Sequence, residues 1–160
     1  MKKEIAKDKS LEELMALAEE LGRGYFKQGL NCAECVLRAF MDIYEVNVPD
    51  EVICMATGFG GGMGHTKNTC GAVTGAVLAL GLVKGRDPFA AEEVKDRVRQ
   101  LNEETYPPFA AMIREMEAEY GTLICAELSA PHGDFDGRSR KKSCQQMIGH
   151  CCRLAEKYAE

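Results

Sequence analysis

Apolar positions recur along this chain at the three- and four-residue spacing of helices, and no convincing strand emerges. Leu11, Leu14, Met15, Leu17, Ala18 and Leu21 make one stripe, preceded by Ser10 with Glu13 three residues on. That pair predicts a capping box, in which each residue satisfies a free amide of the other. Gly22 and Gly24 loosen the end of this helix, and Gly29 closes it. A second helix is predicted from about Asn31 to Tyr44, with Ala33, Val36, Leu37, Phe40 and Ile43 inward. A short third follows Pro49-Asp50 through Val52, Ile53 and Met55 and stops at Gly58.

Residues 58–64, Gly-Phe-Gly-Gly-Gly-Met-Gly, cannot be regular structure, because so many glycines permit positive φ angles and close backbone approach. Behind them a fourth helix is predicted over about 69–82. It is apolar on every face and belongs at the centre of a bundle, with Gly71 and Gly75 offering a flat strip to a neighbour. The tract from Pro88 to Tyr120 reads as one long helix broken at Pro107-Pro108, or as two hinged there. Residues 130–140 read as a polar loop and about Lys142 to Tyr158 as the last helix. The expectation is an all-α bundle of about five to seven helices, one domain over 1–160.

The balance of 46% hydrophobic and 28% charged residues is that of a folded domain rather than a disordered chain. A net charge of −5 argues against nucleic acid, which needs clustered cations. The basic run Arg138–Lys142 reads as a solvated loop face. The longest uncharged run, Thr69 to Val83, is 15 residues, short of the ~20 a membrane span needs. With no apolar leader after Met1, a soluble, cytoplasmic protein without membrane insertion is expected.

Eight cysteines are many for such a protein. In a reducing compartment they stay thiols unless they bind metal or cycle through redox states. Cys32 and Cys35 form a Cys-x-x-Cys, a spacing that serves a dithiol, half a metal site or plain packing; no βαβ pattern supports a thioredoxin. Cys70 stands at the start of the buried helix, where free amides and the helix dipole lower a thiol's pKa. Cys125 and Cys144 are open between packing and function. Cys54 lies among apolar residues and reads as packing; of the neighbours Cys151 and Cys152, one is expected inward and one outward. The glycine loop lacks the Gly-Lys-Ser/Thr of a P-loop and fails the G-x-G-x-x-G pattern, so a nucleotide cradle is excluded. His65 reads as an exposed loop histidine.

Asn31-Cys32-Ala33-Glu34, the loop Gly58 to Gly64, and Cys70-Gly71-Ala72-Val73-Thr74-Gly75 together resemble the redox-active proteins named for a C_GCAxxG_C_C pattern. Tyr120-Gly-Thr-Leu-Ile-Cys125 is similar to the third cysteine segment, and Cys144 best matches the fourth, with the Cys151-Cys152 doublet as the rival position. The similarity spans about Gly22 to Tyr158. It implies a working set of Cys32, Cys70, Cys125 and Cys144, leaving Cys35, Cys54, Cys151 and Cys152 as extras. A similar domain in split-Soret-type cytochromes, where an iron–sulfur cluster has been proposed, implies cluster binding as one role.

Three functions compete. Four thiolates are the usual ligands of an iron–sulfur cluster used in electron transfer or sensing. A thiol–disulfide protein would use Cys70 as a low-pKa nucleophile, with Cys32 or another of the set resolving it. A structural zinc site on an interaction module is the third. The four cysteines are separated by 38, 55 and 19 residues, so a shared site closes only in the folded bundle. Gly60, Gly61, Gly62 and Gly64 are expected to lie over it as a backbone lid, their amides near sulfur. A redox partner is implied but not named, and homodimerisation stays open.

Overall fold

The computed structural model describes residues 1–160, and every element in it is helical. Helix α1 spans Leu11–Lys27 and α2 Cys32–Ile43; a 3₁₀ turn, Asp50–Ile53, runs into α3, Cys54–Thr57. Then come α4, Gly71–Lys84; α5, Val94–Gln100; α6, Tyr106–Tyr120; α7, Cys125–Ser129; and α8, Arg138–Ala159. Extended pairing is confined to two isolated antiparallel bridges, Lys2 with Tyr44 and Thr69 with Ile124.

The local signals act as expected. The Ser10 amide donates to Glu13 at 2.8 Å and the Glu13 amide to Ser10 Oγ. Asn31 caps α2 in the same way: Ala33 and Glu34 donate to its side chain, and its own amide donates to Glu34. Helix α4 packs between α2 and α8, while α1 lies across α8 and α2. The close approach of α2 and α4 depends on Gly75, where a Cβ would stand 2.8 Å from the Ala33 carbonyl oxygen. Phe40, Leu14, Ile43, Leu80, Met112, Met116 and Ile148 fill the common core.

Three expectations need correction. The buried central helix begins at Gly71, with Cys70 as its N-cap, and is not covered all round: Val77, Leu78, Gly81 and Leu82 stay half-exposed beside Leu37 and Phe109. The long tract is helical only from Val94, and it is two helices that meet just before the prolines rather than one. A π turn, Leu101–Thr105, joins α5 to α6, whose first turn holds Pro107 and Pro108. Prolines have no amide to give, and the first turn of a helix is where that loss costs least. The last helix starts at Arg138, so the basic run belongs to its first turns and not to a loop.

One buried charge stands out in this core. Glu156 is fully buried; its Oε1 accepts from the Tyr44 hydroxyl at 2.8 Å, and its Oε2 has no partner.

Candidate functional site

The glycine loop reverses the chain by an unusual route. Gly61, Gly62, Met63, Gly64 and His65 all have φ between +62° and +73°, a left-handed turn in succession. Each L-residue in that region costs roughly 1–2 kcal/mol, so three glycines among the five remove most of the penalty. The turn is closed by its own amides, with His65 donating to the Gly60 carbonyl and Asn68 to that of Gly62, both at 3.0 Å. It is pinned to α2 where Asn31 Nδ2 donates to the Thr57 carbonyl at 3.0 Å and Thr57 Oγ1 donates to Glu34 at 2.6 Å.

Beyond the loop, the chain is stitched to a distant segment. The Cys70 amide donates to the Leu123 carbonyl at 2.8 Å, and the Cys125 amide to the Asn68 carbonyl at 2.6 Å. With the Thr69–Ile124 bridge between them, these bonds set the start of α4 beside the start of α7. Cys70 and Cys125, 55 positions apart, thus become neighbours.

Cys32, Cys70, Cys125 and Cys144 all line one cavity of about 50 Å³. Each comes from a different helix or its cap: α2, α4, α7 and α8. Two glycines keep it open. A Cβ on Gly71 would collide with Cys32 Sγ, and one on Gly62 would stand 2.8 Å from the Cys125 Cβ. The remaining lid candidates divide. The Gly61 backbone lies close enough to Cys32 to pull its thiol pKa down, against the larger effect of burial. Gly60 instead makes room for the Asn31 side chain, and a Cβ on Gly64 would meet nothing.

Burial raises the thiol pKa of Cys32, Cys70 and Cys144. Cys70 is pushed up to about 12, first by desolvation and then by the neighbouring Cys32, although the Ala72 and Val73 amides pull the other way. Cys32 and Cys144 are raised as well, again mainly by burial; the Arg140 charge opposes this at Cys144. The expectation of a low-pKa thiol at Cys70 is therefore corrected. The amides at the helix start are present, but burial outweighs them.

The other cysteines also depart from expectation. Cys54 is exposed rather than packed. Cys151 and Cys152 are both fully buried, one not facing out. Cys35 is buried in the core, its thiol 3.5 Å from the Leu30 carbonyl, so only Cys32 of the Cys-x-x-Cys opens on the cavity. His65 is exposed, as read, with its ring edge-on to Phe135.

Sequence reasoning missed Arg140. It lines the same cavity, its Nη2 lies 3.9 Å from Cys125 Sγ, and its guanidinium stacks 3.8 Å above the Phe135 ring. Arg140, Ser143, Cys144 and Met147 follow helical spacing along α8, and all four face the cavity. Starting that helix at Arg138 would have placed the arginine one turn before Cys144 on one stripe.

Residues 30–158 match the family model described as "Putative redox-active protein (C_GCAxxG_C_C)". The chain belongs to this family. C_GCAxxG_C_C membership makes it a cysteine-related redox protein in general terms. It is also similar to an uncharacterized protein of Archaeoglobus fulgidus, 23% identical over 129 residues, covering 78% of this chain and 81% of that one. No solved structure matches. No helix is long and apolar enough to cross a membrane.

The thiols of this family member should label in an order set by exposure. With iodoacetamide at pH 7, mass-spectrometric mapping is expected to show Cys54 modified well before Cys70, because only a thiolate attacks and Cys70 holds its proton. Faster labelling at Cys70 would mean that the helix-start amides prevail over burial after all.

Proposed function

We propose that Cys32, Cys70, Cys125 and Cys144 act together as a redox centre whose sulfurs hold an iron–sulfur cluster or another thiophilic metal, for electron transfer or sensing. The observation that carries this reading is the convergence of four cysteines, from four separate elements, on one small cavity. The donor set fits such a group: thiolates select iron–sulfur clusters and zinc over harder ions. Gly62 and Gly71 fit it too, holding open space that a Cβ would fill beside Cys125 and Cys32. An iron–sulfur cluster, when bound, supplies reversible electron transfer; zinc would supply structure alone.

The chain's own residues do the rest. With their pKa raised, Cys32, Cys70 and Cys144 keep their protons until a cation displaces them, so metal uptake should release protons and weaken as pH falls. The Gly61 backbone, which lowers the Cys32 pKa, favours negative charge there. Arg140 adds a positive charge beside Cys125 and Cys144.

A second reading has its own support, because no three His, Cys, Asp or Glu side chains already stand in a group able to hold a metal ion. In it, two of the four thiols pass two electrons and two protons to a partner's disulfide and become a disulfide themselves.

Anaerobic reconstitution with iron and sulfide, followed by visible absorption and metal analysis, separates the two. Wild type and Cys54→Ser are expected to take up iron with charge-transfer absorption, while serine at Cys32, Cys70, Cys125 or Cys144 abolishes or sharply reduces it. A wild-type chain that stays colourless and iron-free, yet oxidises reversibly by two electrons, would overturn the metal reading in favour of the dithiol.

A further inference from the structure

Arg140 is the one charged side chain lining the cysteine cavity, and it is underused. Its Nε is buried and has no hydrogen-bond partner. No carboxylate pairs with it, nor with Lys67, whose ammonium lies 4.4 Å from the centroid of the same Phe135 ring. Arg140 as a whole is only half-buried, but a guanidinium nitrogen shut off from water with neither an acceptor nor a counter-charge is costly. Its sole polar contact is the long one to Cys125 Sγ, which leaves most of its donors free.

We infer that Arg140 makes the cysteine cavity a binding site for a small oxyanion in the reduced, metal-free protein. The guanidinium edge presents Nε and Nη as parallel donors, a fork matched to two oxygens of one anion. Stacking on Phe135 fixes the plane of that fork, so little order is lost when an anion arrives. The cavity bounds the ligand. At about 50 Å³, on a scale where one water takes roughly 10–15 Å³, it admits a few heavy atoms. That suits sulfate, phosphate or their smaller relatives and excludes a nucleotide or a peptide. The chain as a whole carries a net charge of −5, so the attraction is local to Arg140 and not a general property of the surface. An anion seated there lies against Cys125 and Cys144 and shields them. The inference takes its place in the molecule from the redox reading but not its chemistry, since anion binding needs no electron transfer.

The test uses the full-length, reduced, metal-free protein. Sodium sulfate is titrated against sodium chloride at matched ionic strength while the Arg140 Nε–Hε resonance is followed by NMR, and iodoacetamide labelling of Cys144 is timed in parallel. Sulfate is expected to shift that resonance saturably and to slow Cys144 labelling, with chloride doing neither. Arg140→Gln should weaken sulfate binding about tenfold or more. Arg140→Lys, which keeps the charge and loses the fork, should weaken it as well. An unmoved Nε–Hε resonance in the wild-type protein overturns the inference, whether or not the variants fold. So does sulfate binding of unchanged strength in Arg140→Gln. Iron uptake without sulfate binding would remove this inference and leave the redox reading standing.

Discussion

Gly71→Ala is expected to abolish iron uptake while costing about 1–3 kcal/mol of stability, the range for an overpacked methyl in a tight site. The added Cβ meets two things that cannot both give way. One is Cys32 Sγ; the other is the Phe59 carbonyl oxygen, 2.8 Å off and part of the backbone entering the glycine loop. The thiol is the softer neighbour, so it rotates out and the cavity loses a sulfur. Gly64→Ala is the control. Its φ of +62° makes alanine costly by roughly 1–2 kcal/mol, but its Cβ would touch nothing near the site. Thermal melts paired with iron analysis after reconstitution decide the matter. If both variants lose similar stability and both load iron, Gly71 serves only the fold.

The second large effect concerns Glu156, whose carboxyl pKa is raised above 4.5, first by burial, with the Tyr44 hydrogen bond opposing. The direction fixes the sign. In the folded state this group binds its proton more tightly than in the unfolded chain. Its contribution to stability is therefore fully present below the unfolded pKa and is lost as pH rises through the higher folded value. Within that window the loss can reach about 1.4 kcal/mol per pH unit. Glu156→Gln removes the titration, so its stability should vary less between pH 4 and pH 8 than that of wild type. The variant should also gain on wild type as pH rises. Urea unfolding across that range is the measurement, and parallel curves for the two proteins would show that Glu156 does not titrate with folding.

What the sequence disclosed here is local, and what it concealed depends on partners far along the chain. Ser10 with Glu13 announces one helix start because the cap is made within four residues, and the Asn31–Glu34 cap found in the structure is just as local. Gly71 and Gly75 announce a close helix contact because glycine leaves a groove whatever fills it. The start of α8 was hidden for the converse reason. Gly137 is its N-cap and offers no capping side chain, so the basic run looked like a loop and Arg140 went unnoticed. The Cys70 thiol was misjudged because its helix position is written in the sequence and its burial is not. Cys54 was misjudged the other way: apolar neighbours in sequence did not become a covering in space.

The bridge between Thr69 and Ile124 has a bearing on how the protein is made. It closes a long loop, and α8, which carries Cys144, follows it in the chain. The entropic cost of such a closure must be met before the contacts it permits can repay it, so this corner should be among the later ones to form during folding. Until then the four cysteines are solitary thiols on a mobile chain, with no chelating geometry to offer. A ligand that needs all four thiols together therefore binds the finished fold more tightly than the unfolded chain, where single cysteines offer only weaker holds. The difference between the two affinities then appears as resistance to unfolding, growing with the logarithm of the free ligand concentration above its Kd. Occupancy of the cavity and equilibrium stability are thereby linked, so the melting temperature of the protein should rise with ligand concentration.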